Sequence, residues 1–144
     1  MSATREQIFT ALLATLADAY PFKATGRRLR DPENVSSNDR PALYLVPHDD
    51  EYRVSAVNLP PIRELMAWAV VYTDAGTNQN VIPATDQNNI LDAIDAALAP
   101  EPDDERQTLG GLVYAALIDG TVQRASGDVT GKGVVAIPIK IIIP

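Results

Sequence analysis

The segment GVVAIPIKIIIP, residues 133–144, is the most apolar run of the chain and decides how its sheet is built. Alternation with a period of two and β-branched side chains predict a strand here. Its odd positions, from Val135 to Ile143, place Val or Ile on one face, and its even positions are apolar except for Lys140. Because neither face suits water, something must cover each of them.

Pro138 leaves open what that cover is. Proline lacks an amide hydrogen and is confined to edge strands or bulges, while a long apolar edge strand is prone to aggregation. Another subunit could cover the strand, or the chain's own helices could do so with Pro138 at a bulge. In the first arrangement the candidate subunit-interface residues are Ile137, Ile139, Ile141, Ile143 and Trp68.

Three more strands are predicted outward from this segment. Leu65 to Tyr72 is apolar on both faces, which is typical of a central strand covered on both sides. Ala42 to Val46 and Tyr52 to Val57 predict a hairpin closed by Pro47 to Glu51. The glycines around Asp128 to Lys132 predict the turn of a second hairpin, whose second strand is the C-terminal segment.

Two helices are predicted. Thr4 and Gln7 have the spacing of a capping box, which a four-residue apolar repeat follows until Pro21. Thr85 or Asp86 can cap the second helix, which Pro100 stops. Residues 108–116 predict a helical turn that leads into a strand from Leu117, although Gly110 and Gly111 weaken a helix.

The chain has 144 residues, so we expect one domain, 1–144, of α+β class. An antiparallel or mixed sheet of about four to five strands would pack against two main helices. Twelve Lys and Arg against nineteen Asp and Glu give a net charge of -7, which disfavours a nonspecific duplex-DNA binder. No apolar run reaches the length of a membrane-spanning helix and no secretion signal is visible, so we expect no membrane association.

Candidate chemistry is sparse. With no Cys and one His, the chain lacks the ligands for cysteine zinc sites and two-histidine sites. His48, Asp49, Asp50 and Glu51 are the one cluster that could bind a metal, and a small metal-dependent hydrolase using them is the alternative from another functional class. Consecutive strand residues alternate between faces, however, which favours an ordinary polar hairpin tip. With no phosphate-binding loop and no GxSxG motif either, we expect no enzyme activity and no cofactor.

A basic segment lies between the first helix and the first predicted strand. Lys23, Arg27, Arg28 and Arg30 have no intervening acid, in a chain that is acidic overall. They could contact phosphate, such as passing DNA, or an acidic protein neighbour. A solvated loop is the simpler interpretation.

Taken in order, these features resemble the tail terminator (minor tail) proteins of long-tailed phages. The resemblance lies in the segments RPALYL (40–45), NNILDAI (88–94), QTLGGLV (107–113), IDG (118–120) and VAIPI (135–139). Neck and head-tail joining proteins share similar size and patterning, so a neck or head-tail connector subunit is the alternative within the same class.

The resemblance implies a virion structural protein. Such a subunit assembles as a homo-oligomeric ring, usually a hexamer, that caps the tail tube, ends tail polymerisation and gives the head a docking surface. Its expected partners are the tail tube protein and a head-tail connector or neck protein, with DNA passing through the lumen without specific binding. Its expected location is the head-proximal end of the tail, and the host cytoplasm during assembly. A cytosolic adaptor that captures a peptide along the C-terminal strand is a further alternative.

Overall fold

The computed structural model describes residues 3–143, and the strand predicted from the C-terminal segment lies inside a mixed sheet. The described residues form α1 (Arg5–Ala19), β1 (Ala24–Gly26), β2 (Ala42–Arg53), β3 (Ile62–Asp74), α2 (Pro83–Ala97), β4 (Ala115–Ile118), β5 (Gln123–Ala125) and β6 (Lys132–Ile143). The strand order is β1-β2-β3-β6-β4, and β5 also pairs with β6. Only β1 runs parallel to its neighbour, β2. The predicted α+β class with two helices is confirmed.

The core lies between the two helices and one face of the sheet. In the ladder between β3 and β6, Ala67 pairs with Ile139 and Ala69 pairs with Ile137, so small side chains lie opposite large ones. The helices bury the side chains of Ile8, Leu12, Leu16, Ile90 and Ile94 against this face. Full burial of each such side chain contributes about 1.5–3 kcal/mol, which makes this layer the main source of stability.

The four C-terminal isoleucines predicted at a subunit interface lie in this core instead. Ile137, Ile139 and Ile141 are 0% exposed and Ile143 is 3% exposed within a single chain. They cannot contact another subunit, so that prediction is wrong for all four. The pattern indicates that the face is covered but does not say by what, and here the chain's own helices cover it.

Pro138 causes no break in the ladder between β3 and β6, where it pairs with Trp68. The amide of Asp119 donates to the Pro138 carbonyl at 3.1 Å. In an antiparallel strand the N and O of one residue point to the same side, so the missing amide faces β4 and β5, away from β3. The irregularity lies in that edge, which residues 119–122 interrupt. The adaptor alternative requires a free edge of β6 on which a peptide can pair. β6 is instead paired with β3 on one side and with β4 and β5 on the other.

The capping box of α1 is confirmed, since the Thr4 hydroxyl accepts from the Gln7 amide and the Gln7 side chain accepts from the Thr4 amide. Three other local predictions are wrong. β2 continues through residues 47–51 by a register shift, so the hairpin turn lies at 54–61. α2 begins at Pro83, a residue pre-organised for the first helical position, and neither Thr85 nor Asp86 caps it.

The third difference concerns residues 108–113, which form a turn and not a helix. Leu109 has a φ of 52°, and both following glycines also have positive φ. The Glu101 carboxylate fixes this turn, since it accepts from both the amide and the hydroxyl of Thr108. These hydrogen bonds hold the pKa of Glu101 below its usual value. No helix within residues 3–143 is long and apolar enough to cross a membrane.

Candidate interaction surface

The even-numbered positions of β3 and β6 form the other face of the sheet, on which neither helix packs. Its central part is apolar, and most of its side chains are partly exposed. We call this surface the open face, and it consists of Val46, Met66, Trp68, Leu117, Ala136, Pro138 and Ile142. The sheet is therefore covered by helices on one side only.

A covering segment, residues 31–40, closes one end of this side of the sheet. Its Val35 is 2% exposed and packs with Ala42, Tyr44 and Tyr72. The Tyr72 hydroxyl donates to the Arg30 carbonyl at 2.7 Å, and burial raises the pKa of Tyr72. The open face is what this short segment leaves uncovered.

Arg40 fastens the covering segment to the sheet. It is 4% exposed, and its guanidinium donates to the carbonyls of Val35 at 3.3 Å, Thr73 at 3.0 Å and Pro32 at 2.7 Å. The guanidinium also lies 5.3 Å from the centre of the Tyr72 ring. No sequence motif indicated this role, because three carbonyl acceptors carry no side-chain signature.

A chain of ion pairs lies across the opposite end of the open face. Glu64, whose side chain is only 4% exposed, contacts both Arg53 and Lys140. Lys140 in turn lies 2.6 Å from Asp119. Two positive and two negative charges thus pair with one another here, and the exposed Glu51, which is opposite Glu64 in the ladder, adds a further negative charge at this end.

Trp68 is the one residue of the predicted interface that lies on the open face. It is the only tryptophan of the chain, and its ring centre is 6.0 Å from that of His48. Its role in a subunit interface stays a prediction. The sequence did not single out its apolar neighbours on this face. Whether they are exposed depends on whether the helices pack on the odd-numbered or the even-numbered side chains of the strands.

His48 and the three acids that follow it do not converge. Asp50 lies on the helix side of the sheet, where its carboxylate is 2.9 Å from Arg5, whereas His48 contacts Trp68 on the open side. Asp49 lies 3.9 Å from His48, and Glu51 is exposed. Among residues 3–143, no group of three or more His, Cys, Asp or Glu is placed to bind a metal.

The basic segment is divided between structural and exposed residues. Arg27 is held by Glu6 at 3.0 Å and lies 5.2 Å from the centre of the Phe9 ring, so it fastens β1 to α1. Arg28 and Arg30 are exposed. The segment is not a continuous loop, because β1 lies within it.

Lys23 lies at a small cleft with Ser37, Asp74 and Lys132. The hydroxyl of Ser37 donates to the Asp74 carboxylate, and this hydrogen bond is the main reason why the pKa of Asp74 lies below its usual value. The cleft therefore holds an ionised carboxylate beside its lysines, which disfavours an anion site.

The hairpin between β2 and β3 is a second apolar surface. We call residues 54–62 the arm. Its large apolar residues are well exposed: Val54 64%, Val57 102%, Leu59 55% and Ile62 45%. The sequence prediction missed it because the hairpin turn was placed at residues 47–51, although Pro60 and Pro61 are a turn signal.

No known protein family and no curated protein matches this chain.

Proposed function

We propose that this chain is the structural subunit of a homo-oligomeric ring, the tail terminator ring that caps a phage tail tube and offers the head a docking surface. The observation that carries the proposal is the open face, an apolar surface of a central sheet that no helix of residues 3–143 covers. The resemblance in the sequence supplies the identity of the assembly. The fold is compatible with a subunit whose open face is buried by neighbouring copies.

Two different apolar surfaces on one molecule make a ring possible. The open face and the arm lie on different parts of the chain and are both apolar. A contact between two different surfaces is heterologous, and copies joined in this way form a closed ring when the rotation per copy closes. This arrangement leaves the two ends of the ring free for the tail tube and for a connector or neck protein.

Charge supports the same assembly. The subunit carries a net charge of -7, so copies repel one another unless their contact is apolar. Asp103 and Glu105 are exposed in the linker after α2, and Asp92 and Asp95 are exposed on α2 itself. These carboxylates would line the lumen, where a negative surface keeps passing DNA from binding.

The test is the mass in solution, measured by light scattering after size exclusion over a concentration series. We expect a discrete species of about six times the 15.5 kDa subunit. Emission from Trp68 should shift to shorter wavelength over the same range as neighbours exclude water. A monomer at every concentration, with unchanged emission, would count against a ring that assembles on its own.

The role in the virion is tested in a phage that lacks this subunit. Overlong tails are expected if the ring ends tail polymerisation. Tails of normal length that fail to join heads would favour the neck or head-tail connector alternative.

A further inference from the structure

The arm projects beyond the body of the sheet. β2 and β3 remain paired as far as Arg53 and Ile62, and β3 pairs with β6 from Arg63 onward. The base of the arm is therefore fixed by strand pairing at the end of the sheet.

This geometry keeps the arm away from the centre of its own open face. Trp68 is six residues along β3 from Ile62, which corresponds to about 20 Å at 3.3 Å per residue. Folding back over that distance would break the pairs at the base of the hairpin and the contact between Arg53 and Glu64. The apolar side chains of the arm are therefore left exposed in the single chain.

The arm and the open face match in charge. Residues 54–61, VSAVNLPP, contain no charged residue, although the chain as a whole is strongly acidic. On the open face, Glu64 and Lys140 are already paired. Contact over the apolar part of the open face therefore desolvates no unpaired charge, and the exposed Glu51 lies at its edge.

We propose that the arm of one copy docks on the open face of the next copy. This inference rests on the ring proposed above and names the two surfaces that meet in it. An arm of nine residues is smaller than the roughly 20–30 residues that each partner gives to a standard interface. A single contact is therefore weak, but in a closed ring each copy makes two, one through its arm and one through its open face.

The first test replaces the exposed aliphatic residues of the arm. Val57→Ser with Leu59→Ser removes no buried group, so the fold is retained. The concentration at half assembly should rise about tenfold or more, the effect of losing two buried apolar contacts. Val129→Ser is the matched control, since Val129 is 90% exposed in the turn before β6 and lies outside both surfaces.

The second test locates the contact directly. The natural chain has no cysteine, so a Val57→Cys chain can be mixed with a Leu117→Cys chain and treated with a short bifunctional maleimide. A heterodimeric product is expected from this mixture. Val57→Cys mixed with Leu112→Cys is the control. Leu112 is as exposed as Leu117, at 37% against 38%, but it lies beside α1 and not on the open face.

The outcomes separate this inference from the proposed function. The docking of the arm is overturned if the arm variant still assembles like the wild type and the two cysteine mixtures cross-link equally. The proposed ring is then unaffected. A wild-type chain that stays monomeric at every concentration, with no cross-linked product from either cysteine mixture, overturns the docking of the arm and counts against a ring that assembles on its own.

Discussion

Replacing Arg40 by Met should detach the covering segment while leaving the helix side of the sheet intact. The substitution keeps an unbranched side chain of similar length and removes the guanidinium. Three carbonyls, those of Val35, Thr73 and Pro32, then lose the guanidinium as a donor, in a position that is 4% exposed in the wild type. The Pro32 carbonyl keeps the Val35 amide as a donor at 3.3 Å. Water can replace the guanidinium only if the segment moves away.

The size of the effect follows from these hydrogen bonds. A hydrogen bond that involves a charged group contributes about 1.5–3 kcal/mol, and three bonds to one group do not add fully. We therefore expect Arg40→Met to lower the free energy of unfolding by about 3–5 kcal/mol. At about 2–4 °C per kcal/mol for a chain of this size, Tm falls by about 6–20 °C.

The assay is urea unfolding followed by far-ultraviolet circular dichroism, at a concentration where wild type and variant have the same mass. Arg28→Met is the control, because Arg28 is exposed and should change the free energy of unfolding by less than about 0.5 kcal/mol. A dye that binds exposed apolar surface should bind Arg40→Met more strongly, since Tyr44 and Tyr72 lose the cover of Val35. An unfolding free energy within about 0.5 kcal/mol of wild type, which is the effect of an ordinary surface substitution, would refute the reasoning.

Two further predictions concern the core and the dependence of stability on pH in the acid range. Ile139→Ala should lower the free energy of unfolding of the monomer by about 2–5 kcal/mol, because Ile139 is fully buried within one chain. Urea titration measures this change. A loss of stability seen only in the oligomer would instead indicate that Ile139 lies at a subunit interface. Ser37→Ala should raise the pKa of Asp74 toward its ordinary value, as followed by carboxyl-carbon NMR, since the Ser37 hydroxyl is the main cause of the lowered pKa. The stability from this hydrogen bond is present above the unfolded pKa of Asp74 and is lost as the pH falls through the lower folded pKa. Equal titration midpoints in wild type and variant would show that the hydroxyl does not stabilise the carboxylate.

The regular parts of the fold were predictable because one physical signal dominates each of them. The repeat from Ile8 to Leu16 and the alternation from Val135 to Ile143 each correspond to a single buried face. Residues 47–51 were not predictable in the same way, because their polar character is shared by hairpin tips and by exposed strands that extend beyond a sheet. The turn at 108–113 depends on a hydrogen bond that Thr108 donates to Glu101, a residue seven positions away, which no local pattern contains.

The candidate surface was predictable only in part, since two apolar faces of one strand look equivalent in sequence. Which of them becomes the core depends on where the helices pack, and α1 and α2 cover the odd-numbered face of β6. Trp68 was predicted at the interface from the apolar pattern and lies on the other face, while Ile137 and its odd-numbered neighbours do not. The arm could not be predicted until the correct hairpin turn was known.

The alternation along β6 has a consequence for mutational tolerance. Substitutions at Ile137 or Ile139 act on the folding of each chain by itself, so cells would register them as lost protein. Substitutions at Ala136 or Ile142, on the open face, would leave abundance nearly unchanged and alter only what the protein joins. If the open face is the proposed interface, a scan of every position that records abundance and assembly separately should show two interleaved profiles along one strand, changing at each residue.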